Sequence, residues 1–73
     1  MDIKVGQVLE FIVPAQLEER TIAKGTRVRI GHIMAEIGEP KLTLVLLGGD
    51  KAETIVVTRH DVTLNCRIVS EPA

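Results

Sequence analysis

The sequence predicts an all-β fold, with five strands curling into a small single-domain barrel over residues 1–73. Three observations carry this prediction. Leu42, Leu44 and Leu46, then Ile55 and Val57, recur at every second position on either side of Gly48, Gly49 and Asp50, the signature of two strands joined by a tight glycine-containing turn. The same period of two recurs near both ends of the chain. The one stretch with helix signals, Ala15 to Lys24, lacks an apolar stripe.

The first strand runs from Gln7 to Val13, with Leu9, Phe11 and Val13 on one face and Val8, Glu10 and Ile12 on the other. Pro14 ends it, because proline donates nothing to a ladder. Ala15 to Lys24 reads as a long excursion loop with one helical turn. The alternative is a short helix, with Pro14 near its first turn, Glu18 and Glu19 early and Gly25 past its end. A second strand spans Thr26 to Met34, with Val28 and Ile30 inward and Arg27 and Arg29 outward. Its alternation slips at Gly31 and His32, so that Ile33 is the next core residue, which predicts a bulge or bend. Glu36 to Pro40 is a polar turn before the central hairpin, Lys41 to Leu47 and Thr54 to Thr58. Arg59, His60 and Asp61 read as a single 3₁₀ turn. A last strand from Thr63 to Ile68 follows, with Val62, Leu64, Cys66 and Ile68 inward. Residues 1–4 and 70–73 are expected to fray.

A chain of this length buries only about 60% of the surface its unfolded form exposes, so its stability depends on good packing or on oligomerisation. Cys66 is the sole cysteine, which excludes an internal disulfide, and no CxxC or HxxxH spacing supplies a zinc site. Nine basic and ten acidic residues leave a formal net charge of −1, against a general nucleic-acid binder or a polybasic membrane anchor. No export signal opens the chain, and its longest apolar run, Leu44 to Leu47, is far short of the about 20 residues of a membrane span. These features predict a cytoplasmic protein that needs no cofactor or metal and does not enter membranes.

The order of elements resembles the SH3-like small barrel: strand, long loop at Pro14 to Gly25, three strands joined by short turns, a one-turn helix, then a last strand. The run Lys24, Gly25, Thr26, Arg27, Val28, Arg29 is similar to the glycine-then-alternating strand common in such barrels. The resemblance implies a fold, shared by many unrelated functions. Peptide-binding and chromatin-reading relatives of that layout rely on several aromatics, whereas Phe11 is the only aromatic here and alternates with core positions. Ribosomal and transcription-factor barrels of that look are markedly basic. The glutamine–isoleucine–tyrosine motif of plasmid-type dihydrofolate reductases has no counterpart, since the chain has no tyrosine.

Candidate chemistry is sparse. Arg20, Lys24, Arg27 and Arg29 form a possible anion or nucleic-acid face; the plainer reading is a solvated surface balanced by Glu18, Glu19 and Glu36. His60 beside Asp61 offers an acid/base pair for a small enzyme with a site shared between protomers, but Asp61 is more simply a capping or turn residue. His32, His60 and Cys66 match no metal-site spacing. Gly48, Gly49 and Asp50 are hairpin chemistry, with no phosphate-loop pattern. Apolar residues on the outward face remain: Val8, Ile12, Val45, Leu47 and Val56. If contiguous, they form an interface; alternatively they are scattered surface aliphatics, or are covered by the long loop through Leu17 and Ile22. The expected function is a non-catalytic interaction or assembly module, either a homo-oligomer or an accessory subunit.

Overall fold

A computed structural model describes residues 2–17, 20–35, 37–49 and 51–72. The expectations placed on Met1, Glu18, Glu19, Glu36, Asp50 and Ala73 lie outside the described residues.

The described chain is mostly β: β1 (Val8–Phe11), β2 (Ala15–Gln16), β3 (Thr21–Ile22), β4 (Arg27–Met34), β5 (Lys41–Leu46), β6 (Thr54–Thr58), α1 (Arg59–Asn65) and β7 (Cys66–Ser70). Five strands form one antiparallel sheet in the order β6-β5-β4-β1-β7, and β2 and β3 form a separate two-stranded sheet. The central hairpin stands as the alternation predicts, with Leu42 opposite Val57 and Leu44 opposite Ile55. The slip at Gly31 is also real. The β4–β5 register shifts between Ile30 and His32, after which Ile33 packs against the core and His32 is exposed.

Chain connectivity forces the sheet to curl. Its two edge strands, β6 and β7, are consecutive and joined only by the seven-residue α1. Thr58 is level with Lys41 and Met34, whereas Cys66 is level with Phe11, beside Thr26 at the opposite end of β4. In a flat sheet, four strand spacings and an offset of roughly eight residues would separate Thr58 from Cys66 by about 30 Å. A helical connection of this length spans only about 12 Å. The sheet therefore wraps around its inward face, with the β4 bulge as one bend. The wrap stops short of the closed barrel expected from sequence: among the described residues no ladder joins β6 to β7, so both remain edges.

The enclosed core is one cluster. Leu9, Phe11, Val28, Ile30, Leu42, Leu44, Ile55, Val57 and Cys66 come from the main sheet, Ala15 and Ile22 from β2 and β3, and Val62 from α1. Two sequence expectations are corrected here. Ala15 to Lys24 is neither a bare loop nor a helix. Ala15 pairs with Ile22 across the β2–β3 ladder, and the burial of both side chains makes a small hairpin preferable to either. Arg59 to Asp61 is not a 3₁₀ turn but the first half of an α-helix, so β7 starts at Cys66, not Thr63, and Leu64 is 60% exposed, not inward.

The cause of the helix is a capping box. The Asp61 N–H donates to Thr58 Oγ1 at 3.1 Å and the Thr58 N–H donates to Asp61 Oδ2 at 3.3 Å, while Val62 anchors the turn in the core. Thr58→Ala is expected to lower stability by about 1 kcal/mol. Urea unfolding measures this, and an unchanged midpoint would show that α1 is held by Val62 alone.

Both chain ends meet at Gln7, which is 1% exposed. Its Nε2 donates to the Asp2 carbonyl at 2.9 Å and to Glu71 Oε2 at 3.0 Å, and its Oε1 accepts from the Lys4 N–H at 2.8 Å. The preceding Gly6 has φ +93°, and a Cβ there would come within 3.1 Å of the Pro72 side chain. Only glycine combines that backbone angle with so close a neighbour.

Candidate interaction surface

The strand register maps the outward face row by row. One row reads Val8 on β1, Arg29 on β4, Val45 on β5 and Thr54 on β6, each opposite the next. The neighbouring row reads Arg67 on β7, Glu10 on β1 and Arg27 on β4, with the Leu47 N–H donating to the Arg27 carbonyl at its end. On β6, Val56 lies opposite Thr43 and diagonal to Val45.

The five apolar residues predicted as an interface therefore do not form one patch: three lie together and two stand apart. Val45 and Val56 are cross-strand neighbours on the β5–β6 half, and Leu47 follows at the end of β5. Val8 is set apart by Arg29. Ile12 is set apart by Glu10, and its N–H donates to the Asn65 carbonyl at the end of α1. Val56, Ile12 and Leu47 are 56%, 42% and 37% exposed, whereas Val8 and Val45 are half-buried. Val45 owes part of its cover to the bulge: its Cγ2 lies 3.3 Å from where a Gly31 Cβ would stand, so this valine packs over the glycine. Sequence reasoning missed Val13 and Leu64, also exposed, because it continued the strand alternation through both.

Two of the four candidate cations already face carboxylates. Arg20 donates to Glu53 at 2.5 Å, and Arg27 to Glu10 at 3.3 Å. Glu10 also receives Arg67 at 2.9 Å, a bridge across three strands that sequence alone does not disclose. Lys24 and Arg29 are exposed. The Arg67 guanidinium first, and Arg27 second, hold the Glu10 carboxyl below its ordinary range. A carboxyl with a lowered folded-state pKa stabilises the fold above its unfolded-state pKa and loses that contribution as pH falls through the folded value. Glu10→Gln is therefore expected to show a shallower acid limb in stability against pH than the parent, and superimposable limbs would dismiss the bridge.

Within Arg59-His60-Asp61, the Asp61 side chain and the His60 main chain have structural partners. Asp61 closes the capping box, and the His60 N–H donates to the Glu39 carboxylate. Cys66 is buried, and desolvation pushes its thiol up to about 11, so it stays protonated and unreactive near neutrality. Among the described residues no three His, Cys, Asp or Glu side chains converge on a metal position, and no helix is long and apolar enough to cross a membrane. Compared with protein-family models, with curated proteins and with solved structures, the chain gives no match in any of the three.

Proposed function

We propose that this chain is a non-catalytic interaction or assembly module, working as a homo-oligomer or as an accessory subunit in the cytoplasm, and that its curled sheet is a partly open version of the SH3-like layout. The fold part is supported by the strand order, in which the last strand returns beside the first after a helix, and by the long first connection carrying its own hairpin. The functional part rests on one observation. Val56 is more than half exposed on an edge strand, diagonal to Val45 and on the half of the sheet that ends with exposed Leu47. Exposed aliphatics on an open edge suit contact with another chain. The cationic alternative has less behind it, because Arg20 and Arg27 are already paired and the one aromatic, Phe11, is buried in the core where it cannot stack on bases.

Size-exclusion chromatography with light scattering tests the reading, on the purified chain and on the tagged chain in extract of its own cells. The expected result is a species heavier than the 8.0 kDa monomer in at least one setting. The double variant Leu47→Glu and Val56→Glu returns it to monomer while keeping its β-sheet circular dichroism. A parent that is monomeric in both settings overturns the reading.

A further inference from the structure

The two edges of the main sheet differ in their protection. On β7, Arg67 projects a charge and the register shift between Val8 and Leu9 distorts the ladder, two common guards against strand addition. β6 reads Thr-Ile-Val-Val-Thr, with no charge, proline or bulge.

Ladder chemistry identifies which β6 groups are open. The Leu46 N–H donates to the Glu53 carbonyl, so pairs two residues further on, Leu44 with Ile55 and Leu42 with Val57, are also the hydrogen-bonded pairs. The backbone groups of Thr54, Val56 and Thr58 therefore point away from β5. Thr58 is occupied: its N–H goes to Asp61, and as N-cap its carbonyl takes the first helical bond. Among the described residues, no backbone bond reaches the outward groups of Thr54 and Val56.

We infer that a second copy of this chain pairs antiparallel with β6, edge to edge, across a two-fold axis at Ile55. This deepens the assembly reading above and rests on it. In that register Thr54 lies opposite the partner's Val56, and Val56 opposite the partner's Thr54. Each N–H donates to the facing carbonyl, so the two open residues of each chain are satisfied by the two open residues of the other. Self-pairing fits because the open groups are two residues apart, which is the spacing a two-fold antiparallel ribbon exchanges. No charged side chain lies between Thr54 and Val56 to repel a copy, and the facing residues are β-branched, a favourable cross-strand combination.

The discriminating variant is Thr54→Pro. It deletes an outward N–H at the first residue of a strand, where proline is tolerated, and leaves the β5–β6 bonds intact. Sedimentation over a concentration series is expected to show a dimer for the parent and self-association at least about tenfold weaker for Thr54→Pro. Amide hydrogen exchange on the parent should slow at Thr54 and Val56 as concentration rises. Val56→Lys, at an exposed edge position, is expected to weaken the dimer likewise and serves if the proline variant does not fold.

A dimer that survives both variants, with the Thr54 and Val56 amides exchanging freely, overturns the edge pairing and leaves the assembly reading standing on another surface. A purified parent that is monomeric at every concentration but enters a larger species in cell extract does the same, and points to a partner of different sequence. A monomer in both settings overturns both.

Discussion

Leu44→Ala is expected to lower the stability of this domain by about 3 kcal/mol, within the usual 2–5 kcal/mol range for truncating a buried leucine. Leu44 is 0% exposed in the middle of β5, between Ile30 on β4 and Ile55 on β6, so the cavity opens where three strands converge and none can easily collapse into it. A chain of 73 residues has roughly 4–11 kcal/mol of total stability at the usual value per residue, so the loss is a large fraction. In a thermal melt it appears as a fall of roughly 12–24 °C. Thr43→Ala, one residue earlier and outward, is expected to change stability by less than about 1 kcal/mol. Labelling of Cys66 gives a second readout, because its thiol is buried and reacts only when the core opens. If Leu44→Ala cost no more than Thr43→Ala, the assignment of the inward face of β5 would be wrong.

That contrast between neighbours is also where the sequence was most legible. The alternation of Leu42, Leu44, Ile55 and Val57 is local, and a slip of one residue would expose all of them, so period alone determines the inward face. The bulge was legible for the same reason, since a glycine stood where the alternation failed. α1 was not, because two periods competed over Val62 to Ile68. Alternation offered Val62, Leu64, Cys66 and Ile68 as a strand face, and the structure keeps only Val62, Cys66 and Ile68 against the core. The deciding signal was present in Thr58-Arg59-His60-Asp61, a threonine followed three residues later by an aspartate, which is a helix-start pattern. The outward face was readable residue by residue but not as a surface. That Val8 stands opposite Arg29, and that Glu10 separates Ile12 from the rest, follows from the register of strands distant in sequence. The same holds for Gln7, a polar residue at a strand start that is held by Asp2 and Lys4 on one side and by Glu71, 64 positions further along the chain, on the other.

Gln7→Glu should therefore be costly out of proportion to its size, by about 3 kcal/mol near neutral pH. The replacement keeps the shape but turns the amide donor into a second acceptor. A buried carboxylate would then face the Asp2 carbonyl and the Glu71 carboxylate where Nε2 now donates to both. Burial and the like charge of Glu71 both raise the folded-state pKa of the introduced acid. An acid whose folded pKa is raised adds an ionisation-linked loss that is full above that value, and this part shrinks as pH falls, vanishing below the unfolded carboxyl pKa of about 4.3. Protonation restores a single O–H donor where the amide Nε2 supplies two, so one of the two bonds stays lost at every pH. The gap between parent and Gln7→Glu, measured by chemical denaturation at several pH values, should narrow steadily from neutral pH to about pH 4. Gln7→Leu supplies the control: it loses the same bonds without adding charge, so its smaller deficit should be nearly independent of pH. Equal, pH-independent deficits for the two variants would mean that Gln7 fills space at this junction and that its hydrogen bonds do not hold the two ends of the chain together.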